Sequence, residues 1–210
     1  SVPMPDVGGE ILATRVAFLE LKDERRLVQE GYELLDEKRV LLAGEILRQL
    51  RHHNALQDQI GGHELDARSA LEAAVDAYGF DELTVEPKRS LENTLVRPEF
   101  QTFLGIRLVE AGLDETGPIV EPPSLLPLPE ARHCADAFRR LIAAHVAAAA
   151  CAGNLRRLAH EYRRTERRAR ALENVVLPEI DVSLRFIEEQ LDAVDQEEAV
   201  RVRNAAGSRN

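Results

Sequence analysis

At 210 residues the chain is long enough for one to two domains, yet it is only 4% aromatic, has no Trp and is 30% charged; this is thin material for a globular core and ordinary material for long paired helices. The formal net charge of −10 argues against nonspecific binding to nucleic acid or to an anionic membrane surface. No apolar run approaches the roughly 20 residues a bilayer span needs, and the opening SVPMPDVGGE lacks the basic start and apolar stretch of a secretory signal.

Residues 1–9 read as a Pro/Gly-rich flexible lead. A coiled-coil helix is expected over 10–79, starting between Gly9 and Thr14, with Thr14 a candidate N-cap. Its apolar stripe runs through Leu12, Val16 and Leu19, then Leu27, Leu34 and Leu41 at sevens, then Ile46 and Leu50. Gly61-Gly62 interrupts the pattern. Each glycine costs about 1 kcal/mol against alanine inside a helix, so the pair marks a bend or break, either a hinge or a tolerated kink. Beyond it the stripe resumes through Leu65, Ala70, Leu71, Ala74, Val75 and Tyr78, and Gly79 reads as a C-cap.

The texture changes over 80–129, where proline and glycine recur. Phe103 to Val109 reads as strand. Leu83-Thr84-Val85 and Pro118 to Glu121 are further candidate extended pieces. A small β-hairpin in irregular chain is the expectation.

A second long helix is expected over 130–204, starting near Glu130 behind Pro129, with an acidic first turn that suits the helix dipole; 205–210 reads as a flexible tail. Ala135, Phe138, Leu141, Ile142, His145 and Val146 form its first inward stripe. The Ala-rich run 147–152 either admits another backbone closely or is plain helix-forming sequence. From Leu155 the inward residues are Leu158, Tyr162, Thr165, Ala169, Leu172 and Val176, at alternating steps of three and four, the seam of a coiled coil. Ile180 and Leu184 follow at fours, then Ile187, Leu191 and Val194. The extra fours are stutters that unwind a left-handed supercoil. Pro178 lies among them and is expected to kink one continuous helix. So narrow a stripe needs a partner helix, and the other end of the chain supplies one. The expected fold is mainly α: a long antiparallel two-helix coiled-coil hairpin with a small irregular or β-hairpin middle segment.

Cys134 and Cys151 sit 17 positions apart on this helix, about 25 Å along its axis. That is too far for a disulfide, and a reduced, cytoplasmic setting is the simpler reading. Glu130-x-x-His133 is a single copy of a motif that a di-iron bundle needs twice, with further carboxylates. His52-His53 and His63 lack zinc spacing and read as surface histidines. There is no phosphate loop, nucleophile elbow or Cys/His pair in a catalytic context. Catalytic, cofactor-binding and metal residues are all expected to be none.

Seven arginines, Arg156, Arg157, Arg163, Arg164, Arg167, Arg168 and Arg170, fall within fifteen residues. Three readings stay open: a nucleic-acid contact, which lacks interleaved aromatics apart from Tyr162; a girdle facing acidic partners; and a solvated face paired with Glu161 and Glu166.

The C-terminal helix resembles that of the D subunit, the central-stalk rotor component of V/A-type rotary ATPases. The matching residues are Thr165, Arg167, Arg168, Ala171-Leu172-Glu173, Val175-Val176, Pro178, Ile180 and Arg185-Phe186-Ile187. The N-terminal helix is similar to the same family through Thr14-Arg15-Val16, Leu19, Leu21-Lys22, Gly31, Leu34-Leu35 and Lys38-Arg39. The resemblance implies a non-catalytic shaft that carries torque between ATP hydrolysis or synthesis in a ring of A and B subunits and proton or sodium transport. It also implies contacts with the F subunit and with the membrane-coupling stalk subunit of the d/C type, and a cytoplasmic position peripheral to the membrane. Thr14, Arg15, Arg164, Arg167, Arg168 and Arg185 are the implied partner contacts. Two departures stand out. The C-terminal end is acidic, at Glu188, Glu189, Asp192, Asp195, Glu197 and Glu198, where the family is generally richer in Lys and Arg. Asp23-Glu24, Glu33 and Asp36-Glu37 are acidic where basic residues are common. A static coiled-coil scaffold or adaptor is the alternative.

Overall fold

A computed structural model describes residues 14–85, 94–115 and 128–207. Helix α1 spans Arg15–Val85, strand β1 Thr94–Phe103, strand β2 Ile106–Glu115 and helix α2 Pro129–Ala171. A π-helical turn, Leu172–Val176, leads into helix α3, Leu177–Gly207. The chain forms two compact units. The terminal unit is Ser1–Arg39 with Arg164–Asn210, and the central unit is Val40–Arg163. Within each, the two helical stretches run antiparallel: Arg15 meets Asp195 and Arg25 meets Asp181 in the first; His145 faces Glu64, and Tyr78 bonds Glu130, in the second.

Thr14 caps α1. Its hydroxyl oxygen accepts the Ala17 N–H at 3.1 Å, which satisfies one of the free donors of the first turn. The inward positions of α1 in the terminal unit are Phe18, Leu21, Arg25, Val28, Tyr32, Leu35 and Arg39, all half-buried. In the central unit the same three-four spacing holds Leu42, Ile46, Gln49, His53, Leu56, Ile60, His63, Ala67, Ala70 and Ala74, each buried or half-buried. This corrects the stripe expected from the sequence. Val16, Leu19, Leu27, Leu34 and Leu41 are 65, 61, 69, 68 and 48% exposed. The true seam runs one residue later, at Val28, Leu35 and Leu42. Arg25, Tyr32 and Arg39 hold alternate positions in it, so the leucines at sevens form the stronger pattern although they face outward. Leu12 lies outside the described residues. His53 and His63, expected at the surface, hold half-buried seam positions.

Gly61 and Gly62 do not break α1; Gly79, at φ +73°, is the one residue inside it with non-helical backbone. Ile60 and Ala67 are buried on either side of the glycine pair, and that packing offsets the propensity cost. At Gly79, where the sequence places a helix end, one helix stops at a kink and a second begins. Leu83-Thr84-Val85 is helical, not extended. An acidic pair, Asp81-Glu82, suits the new helix start, and Leu83 packs on the cluster of Ala67, Ala70, Ala74, Cys134 and Ala137.

The run Phe103–Val109 is also not a single strand. Leu104 and Gly105 have φ of +48° and +82° and make a two-residue hairpin turn between Phe103 and Ile106. Such mirror-image turns match the strand twist. Pro118–Glu121 lies outside the described residues. The inner hairpin face puts Leu108, 6% exposed, between Leu42 and Leu158, with Phe103, Ile106, Ile46 and Tyr162 around it.

Pro129 opens α2 at a position where its missing N–H costs nothing. In the Ala-rich run, Ala148 and Cys151 pack against Leu56 and Ile60. Both cysteines are free and buried, and burial raises both thiol pKa values. On the C-terminal side Leu158, Thr165, Ala169, Ile180 and Ile187 are buried. Tyr162, Leu172, Val176, Leu184 and Leu191 are half-buried, and Val194 is exposed.

The stutter before Pro178 takes the form of the π turn, closed by the Leu177 N–H donating to the Leu172 carbonyl. In a regular helix the proline ring would press on the carbonyl of Asn174. A wider turn with one extra residue per hydrogen bond relieves that pressure and lets the helix continue.

Candidate partner-contact surface

Thr14 and Arg15 are explained in part by the chain itself. Thr14 caps α1, and Arg15 Nη2 donates to both oxygens of Asp195 at 3.0 Å. This pair is 76 and 55% exposed, so water screens it. Asp195 belongs to the acidic end of α3, and here it meets a cation of the same chain. Arg25, absent from the sequence reading, donates from Nε to Asp181 at 2.6 Å. That hydrogen bond, with Arg185 nearby, holds the Asp181 carboxyl below its usual range, and Asp181 raises Arg25 in turn. Glu173 in the π turn, together with burial and Asp36, pushes the Tyr32 phenol up.

The seven arginines all lie exposed, and they divide by what they do. Arg157 donates to Asn154 Oδ1 at 2.6 Å. Arg170 donates to Glu166 at 2.7 Å one turn earlier. Arg164, Arg167 and Arg168 are exposed on the same helix, which buries Thr165 and Ala169. Arg185 is exposed on α3. The terminal unit therefore carries outward cations on its C-terminal helices. On α1 it carries outward leucines, Leu27 and Leu34, beside Asp23, Glu30 and Glu37.

The central unit holds polar groups that the sequence reading passed over. Asn154 is 2% exposed. Its Nδ2 donates to the Val109 carbonyl at 2.9 Å, and its Oδ1 accepts the Val109 N–H at 2.8 Å. Gln49, 6% exposed, donates to Glu45 at 2.9 Å, and the Cys151 thiol points at its carbonyl and side-chain oxygens at 3.4 Å. Arg48 grips Glu45 with two bonds, at 2.8 and 2.7 Å, and keeps its carboxyl low. The available signal was a polar residue on an apolar stripe: Asn154 lies four residues before Leu158.

Glu130 accepts the Tyr78 hydroxyl, which keeps its carboxyl below the usual range. Among the described residues no cluster of His, Cys, Asp or Glu could hold a metal ion, and no helix is long and apolar enough to cross a membrane.

The family model for the D subunit of ATP synthase matches residues 17–206. The chain is 24% identical over 195 residues to a V-type ATP synthase D subunit of Thermotoga neapolitana, covering 92% of this chain and 95% of that protein. It is 28% identical over 194 residues to the V-type ATP synthase D subunit of Deinococcus deserti, covering 91% and 85%. It is 27% identical over 198 residues to the A-type ATP synthase D subunit of Methanopyrus kandleri, covering 92% and 84%.

Proposed function

The chain belongs to the ATP synthase D-subunit family, and on that premise we propose that it is the non-catalytic central shaft of a V/A-type ATP synthase. It transmits torque between ATP hydrolysis or synthesis in the ring of A and B subunits and ion transport across the membrane. The observation that carries this reading is the antiparallel helix pair of the terminal unit, narrow in its seam and charged on its outer faces. A helix pair satisfies almost all of its backbone hydrogen bonds internally, so it is stiff under twist. A narrow seam leaves the outer faces free to meet successive positions of a surrounding ring.

Arg164, Arg167, Arg168 and Arg185 then serve as cationic contacts to the ring or to the F subunit, with Thr14 and Arg15 at the start of α1. Leu27 and Leu34 add an apolar contact that the sequence had assigned to the seam. The stalk subunit that couples to the membrane ring completes the partner set. The chain itself sits in the cytoplasm, peripheral to the membrane through the complex.

The test is affinity purification of the full chain from its native cell in mild detergent. A, B and F subunits should co-elute. Arg168→Ala should weaken that retention while leaving the circular dichroism of the free chain unchanged. Recovery of the chain free of any rotary complex would overturn the proposal and leave the static scaffold.

A further inference from the structure

We propose that Asn154 is the positioning residue that locks the β-hairpin to the helices of the central unit, so that strands and helices turn as one body. Apolar contacts and hydrogen bonds both join them. Leu108 lies between Leu42 and Leu158; apolar contact of this kind resists separation but is non-directional, so it does not fix angle or register. One turn before Leu158, Asn154 grips the next residue of the strand. Its amide donates to the Val109 carbonyl and accepts from the Val109 N–H, at 2.9 and 2.8 Å. Hydrogen bonds are directional, so this pair fixes both.

The choice of side chain follows from the task. A residue that both donates to a carbonyl and accepts from an N–H on one neighbour needs an amide or its equivalent. An ionised carboxylate can accept but has nothing to give the carbonyl. Leucine can do neither. Arg157, donating to Oδ1 at 2.6 Å, holds the amide in its orientation. Val109 pairs with Phe100 across the hairpin, and its own N–H and carbonyl point away from β1 toward α2. Pro98, paired with Ala111 two positions along, has the same phase. Its missing N–H therefore falls on the free edge of β1 and costs the ladder no bond. Asn154 thus clamps one edge of a two-stranded sheet, an element only marginally stable alone.

The consequence for torque rests on the shaft reading; the clamp itself does not. The test is amide hydrogen exchange on the full chain, free of partners. Asn154→Leu should lower the protection of Val109 and its strand by roughly tenfold, the scale of a lost net hydrogen bond, while amides around Leu42 and Leu158 keep theirs. Asn154→Asp keeps an acceptor for the Val109 N–H, with Arg157 beside it to hold the charge, but while ionised has nothing to give the Val109 carbonyl, so Val109 should keep more of its protection than in Asn154→Leu. A residue that merely fills space would show the opposite order, because the carboxylate is the worse filler, and Arg156→Ala should change nothing. Unchanged Val109 protection in Asn154→Leu would overturn the clamp, as would a loss at Val109 in Asn154→Asp as large as in Asn154→Leu. Equal loss across hairpin and helices in both variants would make Asn154 a residue of the general core and would also overturn it. Because the measurement needs no complex, it stands or falls separately from co-purification with the rotary subunits.

Discussion

The two units hold their helices together in different ways. In the central unit three apolar clusters follow one another, the first of alanine and cysteine, the second adding Leu56 and Ile60, the third built on Leu42, Leu108 and Leu158. In the terminal unit the buried apolar side chains among the described residues are Ala169, Ile180 and Ile187. There the seam relies on half-buried side chains and on pairs such as Arg25–Asp181 and Arg15–Asp195. Burial contributes about 25 cal/mol per Å² of apolar surface, whereas exposed ion pairs contribute little and are screened by salt. The central unit should therefore be the stable anchor. The terminal unit should be the more weakly held stretch, with most of its surface left for partners.

The largest effect should come from the central core. Leu158→Ala removes a side chain with no exposed surface and should cost about 2–5 kcal/mol in urea unfolding. It should loosen the hairpin as well, because Leu108 loses its support. A cost below the cost of any terminal-unit truncation would reverse the comparison.

Ile187→Ala is the matching cut in the terminal unit, where Ile187 is also fully buried. Phe186 and Glu188 beside it are exposed, and Leu184 and Leu191 a turn away are only half-buried, so the site can collapse, and the cost should fall near the low end of the same range, about 2 kcal/mol. Amide exchange should rise along 15–39 and 177–195 and stay unchanged over 40–80. A uniform rise would mean that the units do not unfold separately.

The third effect is electrostatic. Arg25 holds Asp181 below its ordinary pKa of 3.8. A carboxyl depressed on folding contributes stability that is whole above the unfolded pKa and is lost as pH falls through the folded one. Wild type should therefore exceed Asp181→Asn in thermal midpoint at neutral pH, and the gap should close below about pH 4. A gap that persists into strong acid would show that Asp181 acts by packing.

The smallest effect tests the register. Leu34→Ser should change stability by no more than about 0.5 kcal/mol, because Leu34 faces solvent. Leu35→Ser, one residue on, should cost clearly more. The reverse order would restore the stripe at sevens.

How much was legible follows from the same contrast. On the C-terminal side the stripe through Leu158, Ala169, Ile180 and Ile187 is apolar at nearly every inward position, so spacing alone marks the face that burial occupies. The hairpin too was foreshadowed by glycine and proline, though its turn was hidden because Leu104 is not a turn residue and lies in an apolar run. On α1 the inward face carries Arg25, Tyr32 and Arg39 while leucines repeat outside it. Periodicity ranks faces by apolar content, and here that ranking points the wrong way by one residue.

The sequence by itself determined the helical class, the presence of two long partner helices and the place of the stutter before Pro178, because these depend on local propensity and on steps along one stretch of chain. Only the tertiary structure decided which face of α1 turns inward and what Asn154 is for. Arg25 is acceptable in the seam because Asp181 stands opposite it, and a buried amide is acceptable in α2 because Val109 presents both a donor and an acceptor. A polar residue is stable inside only when a partner distant in sequence satisfies it, and a reading along the chain does not contain that partner's position.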